Sequence, residues 1–380
     1  MSQFKKLYLH LGLEKTGTTS IQKALNQHRD QLERLGYYYP RQFAVGLNTL
    51  LAAMFVTDPM DRPNFRIYIN KHGGTQDKHI QAMNIQLSKE LETVKTDNLL
   101  LSSEFLATDT DFPKLKNWCD QLAYETQIII YIREQCSFYL SRQSTMIKGG
   151  GTKDDAIILK SKRDLPSSMN FKAVLSRLET AFPGKVSVRI FNKDILFRGD
   201  AIQDFFKTIG LGDLGANFTL PRANESLSLI GTEFLLLANQ QIPLEREGQR
   251  NLARDQMIHD MGVLDSGSEF GKNTLSSEEV DVIQAMFKDG NEAVRAKYFP
   301  EMKTLFPAYQ PGDQGSVSKD DVFKYSVKLL EKAYTALYRK QALLNEIAPY
   351  LNRLSKDEKF GDEIQTLIKL NKKIHKDRDS

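Results

Sequence analysis

The stretch LYLHLGLEKTGTTSIQKAL, Leu7 to Leu25, decides the fold. A short apolar run enters a turn bearing Gly12 and Gly17, and an amphipathic pattern follows: strand, loop, helix. The glycine spacing is that of a phosphate-binding loop, GxxxxGK[ST], in which lysine follows the second glycine. Here Thr18 takes that place, and the loop's lysine is Lys15, two residues before Gly17. Backbone N–H groups left unobstructed by two glycines, with the dipole of the next helix, suit an anion. Thr18, Thr19 and Ser20 add hydroxyl donors, and Lys15 adds a point charge. A glycine-rich turn also occurs without a ligand, but the lysine and hydroxyls in the same turn favour an anion site.

Working outward, three more runs read as strands buried on both faces: NLLLSS from Asn98, QIIIYI from Gln127 and VSVRIF from Val186. Helical patterns lie between them, among them TTSIQKALNQHRDQLERLG, IQAMNIQLSKELETV, FKAVLSRLETAF and AIQDFFKTIG. Strands alternating with helices predict a mostly parallel sheet covered on both faces, an α/β doubly wound, P-loop-like domain. Gly36 is placed to end the first helix in a left-handed cap. Beyond about residue 215 the strand signals stop, and helices are expected around Ser226–Gln240 and Ser276–Tyr298. The Pro/Gly-rich stretch FPAYQPGDQGSVS, Phe306 to Ser318, marks a break. It separates a domain of residues 1–315 from a helical C-terminal extension, 316–380, with helices at Lys319–Ile347 and about Asp357–Lys376.

The chain has 380 residues, 41% hydrophobic and 26% charged, and a formal net charge of +4. That is the composition of a soluble globular protein, without the concentrated basic footprint of a nucleic-acid binder. The basic excess sits in the tail, where Lys319–Ser380 carries 14 Lys and Arg against 10 Asp and Glu. Such a tail reads as a solvated helical face, with packing, self-association through the C-terminal helices, or contact with an acidic polymer as alternatives. Cys119 and Cys136 form no disulfide framework and match no zinc signature. No apolar run approaches the roughly 20 residues of a membrane span, so no transmembrane segment is expected and a cytoplasmic setting is.

Ligands of parallel sheets bind beyond the carboxyl ends of the strands. Three polar clusters fall there: the opening loop, Ser102–Glu104, and Arg133–Ser141. Arg133 delivers a fork-shaped donor that suits a phosphate, and Ser141 lies about two helical turns further on if a helix begins near Gln135. An arginine paired with a carboxylate and a serine on a helix face is the alternative. Glu104 is a candidate general base, with helix capping or pairing to Lys15 or Arg133 as its other readings. His10, two residues before the loop, is the rival base, though a buried structural histidine is the simpler reading. Lys148 precedes Gly149–Gly151, a segment read either as an ordering loop over substrate or as a plain loop.

KTGTTSIQ after a strand, with an arginine ending a later strand and a serine eight residues beyond, resembles the sulfotransferases that use 3'-phosphoadenosine-5'-phosphosulfate (PAPS). HLGLEKTGTTSIQKAL followed by LGYYYP is closest to the bacterial carbohydrate-type branch. Weaker similarities in VRIFNKDIL, FFKTIGLGD and RANESLS extend the resemblance over about residues 4–310. It implies donor contacts at Lys15, Thr16, Gly17, Thr18, Thr19, Arg133 and Ser141, with Ser20 and Arg222 as further candidates. It also implies a carbohydrate acceptor, and catalysis by Lys15 with Glu104 or His10 as base. A lysine inside the loop answers the charge that develops on the oxygen leaving sulfur, so no metal is expected. Ser20 departs from the cytosolic small-molecule branch, which has an adenine-stacking tryptophan there. A P-loop kinase acting on a small molecule or sugar is the enzyme alternative, opposed by the position of Lys15. A nucleotide- or glycan-binding scaffold is the non-enzymatic one.

Overall fold

The computed structural model describes residues 3–41, 48–61, 63–104, 106–107, 109–152, 167–212, 227–246, 249–265, 271, 273–312 and 315–354. Their contacts divide the chain into two compact units. One holds residues 1–146, 154–223 and 274–314, and the other 147–153, 224–273 and 315–380.

The first unit is built on five parallel strands: β1 (Phe4–Leu11), β2 (Tyr37–Tyr38), β3 (Asn98–Ser103), β4 (Ala123–Ile132) and β5 (Val186–Ile190), in the order β2-β3-β1-β4-β5. Between them run α1 (Thr18–Gln27), α2 (Arg29–Arg34), α3 (Asn48–Ala53), α4 (Pro63–His72), α5 (Gln76–Glu92), α6 (Phe112–Leu122), α7 (Gln135–Lys148) and α8 (Phe171–Ala181). After β5 comes α9 (Ala201–Thr208). The protein is thus α/β, with the predicted strand–loop–helix at its start. Leu7, Leu9 and Leu11 and all of Ile128–Ile132 are buried, as the continuous apolar runs of a parallel sheet require. His10 faces Phe205 of α9 and hydrogen-bonds Ser102, which Gln22 of α1 also contacts. One face of β1 is therefore under α1 and α9, while α6 packs on β1, β4 and α8.

Local chemistry sets the element ends. Asp200, Asn170, Asp111 and Thr75 cap the helices that follow them, each side chain accepting a backbone N–H of the first turn. A fully buried carboxylate, Asp204, ties α9 to the sheet. It accepts from Tyr131 Oη at 2.9 Å, Arg189 Nε at 2.9 Å and the Phe197 N–H at 3.0 Å.

Two features of this unit depart from the sequence reading. The helix expected from Thr18 to Gly36 is two helices broken at His28, whose φ of −111° and ψ of 20° leave the helical region. Gly36 does take the left-handed conformation, φ 83°. β2 was not anticipated, because two residues carry no periodicity; they pair with Asn98 and Leu99 at the sheet edge.

The second unit contains α10 (Leu229–Ala238), a short antiparallel ribbon of β6 (Glu245–Arg246) and β7 (Gln249–Arg250), and α11 (Leu252–Asp265). The ribbon is strand structure beyond residue 215, where none was expected. Here Asn239 Nδ2 donates to the carbonyls of Ile147 and Gly151, and Arg254 Nη2 to that of Lys148, so the glycine-rich segment is held by its backbone. The long α12 (Ser277–Tyr298) belongs to the first unit and starts with a full capping box between Ser276 and Glu279. α13 (Lys319–Leu354) belongs to the second and runs past the expected end at Ile347. The helix expected at about Asp357–Lys376 lies outside the described residues. Among the described residues, no helix is long and apolar enough to cross a membrane.

Candidate functional site

The sheet register brings two of the three polar clusters side by side. His10 and Leu11 pair with Ser102 and Ser103, and the Gly12 N–H donates to the Ser103 carbonyl at 2.9 Å. The opening loop and Glu104 therefore leave the sheet together. A methyl group on Gly12 would collide with the Thr18 side chain and lie 3.0 Å from the Glu104 Cα, so only glycine lets the loop fold this tightly.

Inside the loop, Lys15 (φ 66°) and Gly17 (φ 81°) are both left-handed. For a lysine that conformation costs roughly 1–2 kcal/mol, so something must hold it. Arg133, the first residue past β4, supplies part of the restraint: its Nη1 donates to the Lys15 carbonyl at 3.0 Å. The guanidinium lies 5.6 Å from the Phe191 ring centroid, and a Cβ on Gly17 would come within 2.9 Å of that same ring. The Lys15 ammonium donates to Thr145 Oγ1 on α7 at 2.9 Å, and Thr145 in turn donates to the Ser141 carbonyl.

The loop threonines divide their work. Thr16 and Thr18 are buried and their hydroxyls donate to the Leu13 carbonyl, at 2.7 and 3.3 Å. They brace the turn from within, so what they offer an anion is backbone N–H. Thr19 is exposed and Ser20 half-buried in the first turn of α1, where the Ser20 N–H donates to the Gly17 carbonyl at 3.0 Å. Ser141 is half-buried on α7. Glu134, next to Arg133, caps α7 by accepting from the N–H groups of Cys136 and Ser137.

Two carboxylates flank the loop. Glu14 pairs with Arg142 Nε at 3.4 Å. Glu104 is half-buried, and desolvation, reinforced by Glu14 and opposed by Lys15, holds its carboxyl above the usual carboxylate range. Lys15 is held below the ordinary lysine value, chiefly by burial, with Glu104 resisting that shift. The two groups therefore feel each other's charge. Burial also lowers Arg133, which stays a cation at any working pH.

His10 sits elsewhere. Its ring is fully buried, 5.8 Å from Tyr131 and 5.5 Å from Phe205 between centroids, with Nδ1 2.9 Å from Ser102 Oγ. Desolvation takes it down to about 3, so it is a neutral imidazole in the core. Arg222, a further candidate from sequence, lies outside the described residues.

The structure thus gathers Lys15, Thr16, Gly17, Thr18, Thr19, Glu104 and Arg133 around one loop. Thr145 and Phe191 were missed. Thr145 lies one helical turn beyond Ser141, a spacing that could have exposed it. Among the described residues, no group of His, Cys, Asp and Glu is placed to hold a metal ion. A cavity of about 910 Å³ lies away from the loop, lined by Gln135, Asn291 and Phe306 among others. The two amides there exchange hydrogen bonds with each other.

No protein-family model and no curated protein matches the sequence. Among solved structures, the chain is similar to a "Sulfotransferase Domain from the Curacin Biosynthetic Pathway", at 10% identity. The match covers 76% of this chain and 99% of that one, with a TM-score of 0.32. At that level the likeness carries no argument, and the α/β fold and the anion-suited loop rest on this chain's own geometry.

Proposed function

We propose that the protein is a sulfotransferase that moves a sulfuryl group from PAPS to a hydroxyl of a carbohydrate. One observation carries the reading: the loop lysine is Lys15, in a left-handed turn closed by Arg133 and within the field of Glu104. The donor and the carbohydrate class come from the resemblance set out above, and a cytoplasmic setting from the short apolar runs of the sequence. The residues suit such a donor, since the loop's Lys15 and Arg133 at the end of β4 bring two cations to one glycine turn.

When bound, the donor supplies an activated sulfuryl group whose bond to the 5'-phosphate oxygen breaks as the bond to the acceptor oxygen forms. The loop amides and the Lys15 ammonium hold the phosphate end and meet the charge that builds on it. Arg133 fixes the loop and adds positive potential. Glu104 takes the acceptor's proton. Its raised titration range makes it a stronger base than an ordinary carboxylate once it is ionised. His10, enclosed in the core, is left a structural part.

Calorimetry with adenosine 3',5'-bisphosphate tests the donor site, and sulfuryl transfer from labelled PAPS to a glycan panel tests the reaction. Binding of the bisphosphate without magnesium, with transfer lost in Lys15→Ala, is the expected result. Magnesium-dependent ATP binding with no response to the bisphosphate would overturn the reading in favour of a kinase.

A further inference from the structure

α13 has two apolar faces where covering one globular body requires one. Tyr325 and Leu329 are buried in the second unit, with Tyr325 Oη donating to Asp265 Oδ1 at 2.9 Å and its ring 5.6 Å from that of Phe234. Another stripe carries Phe323, Val327, Leu330, Tyr334 and Leu337, which are 47–73% exposed. Isolated exposed apolar residues need no explanation, but a row of five along one helix does.

The spacing of the row is specific. It steps alternately by four and three residues, the 3.5-residue period of a coiled-coil seam, with Phe323, Leu330 and Leu337 at d and Val327 and Tyr334 at a. In the sequence the same steps continue through Gln341, Leu344, Ala348 and Leu351. Leucine thus recurs at four successive d positions, and the run meets the roughly three to four heptads that mark a coiled coil.

We infer that this stripe is the seam of a two-stranded coiled coil with a second copy of this chain. A seam of this period is complementary to itself, which favours a second copy over a foreign partner. The positions flanking the seam are Lys324, Glu331 and Tyr338 on one side and Ser326, Ala333 and Lys340 on the other. A parallel pairing sets Ser326 against Glu331, Ala333 against Tyr338 and Lys340 against Asn345, and brings like charges together only at the helix start, Lys319 against Lys324. A partner chosen by charge would need a row of one sign there. Residues 355–380 are too short to cover the whole row: coiled as a helix they span about 39 Å, against about 47 Å from Leu354 back to Phe323.

Sedimentation velocity on the full chain, from low to high micromolar loading, tests this. The wild type sediments as a dimer. Leu330→Glu combined with Leu337→Glu raises the dissociation constant by roughly a hundred-fold or more, since two buried leucines are lost from each helix. Helical circular dichroism and bisphosphate binding stay unchanged, which separates this inference from the proposed catalytic reading. Should that pair of charges disturb α13 itself, Val327→Ser with Tyr334→Ser gives the same readout with milder side chains. A wild type that stays monomeric throughout overturns the inference, as does a folded double variant that dimerises like the wild type. A monomeric wild type that dimerises when cut after Leu354 overturns it in favour of the tail as the occupant.

Discussion

The guanidinium of Arg133 donates to the backbone carbonyl of Lys15 at 3.0 Å, across 118 positions of sequence. The end of β4 therefore holds the loop after β1 in its left-handed turn. Removing the side chain releases the loop as well as a charge. Arg133→Ala is expected to weaken adenosine 3',5'-bisphosphate binding by roughly ten- to a hundred-fold, the size of one charged hydrogen bond. Arg133→Lys should recover little, because an ammonium cannot bond the carbonyl and a ligand in one plane as the fork does. Calorimetry on the two variants checks this; full recovery by lysine would show that charge alone matters.

Glycine substitutions separate crowding from backbone strain. Gly12→Ala meets the Thr18 side chain and the Glu104 backbone and is expected to cost about 1–3 kcal/mol through crowding. Gly17→Ala meets the Phe191 ring at 2.9 Å and also carries the left-handed penalty of roughly 1–2 kcal/mol. Gly36→Ala shares that φ but faces open space, so only the backbone penalty remains. Urea denaturation of the three proteins should rank Gly17→Ala as the least stable, and Gly12→Ala and Gly17→Ala alone should lose anion binding.

Glu104 links activity to pH. Because its folded value lies above its unfolded one, its contribution to stability is complete below the unfolded value and is lost as pH rises through the folded value. At neutral pH the ionised, desolvated carboxylate therefore works against the fold. Glu104→Gln is expected to melt higher than wild type near pH 7.5, to lose that advantage near pH 4, and to transfer roughly a hundred- to ten-thousand-fold more slowly. The acidic limb of the wild-type rate profile should lie above the ordinary carboxylate range. In Lys15→Ala the Glu104 titration, followed by carboxylate NMR, should move higher still, since Lys15 now lowers it.

His10 has the opposite sign. Its folded value of about 3 is below its unfolded one, so its contribution is present above about pH 6.5 and is lost as pH falls towards 3. Acid melts should show wild type losing stability across that window and His10→Leu losing less. At pH 7 the variant should be weaker by about 1–3 kcal/mol, since Ser102 Oγ loses a buried partner. Transfer per folded molecule should survive in His10→Leu, whereas abolished transfer with intact folding would make His10 catalytic after all.

Much of this protein was determined by local sequence. The apolar runs at Leu7–Leu11, Asn98–Ser103 and Ile128–Ile132 are strands of the covered centre of a parallel sheet, whereas Val186–Ile190, expected to be buried on both faces, is an edge strand in which only Val188 and Ile190 are buried. The loop is legible for a similar reason, since Gly12 and Gly17 bracket the chemistry within six residues. What only the tertiary structure decided are relations between distant segments: Lys15 on Thr145, Arg133 on the Lys15 carbonyl, Glu14 with Arg142, and Glu104 against Gly12. These depend on strand order and register, which place β1 between β3 and β4, and no periodicity along the chain encodes that neighbourhood. The division of labour among the threonines belongs with them. Sequence marked Thr18 as a donor to an anion, but the turn it sits in spends that hydroxyl on Leu13, because a buried donor bonds the acceptor that folding puts within reach.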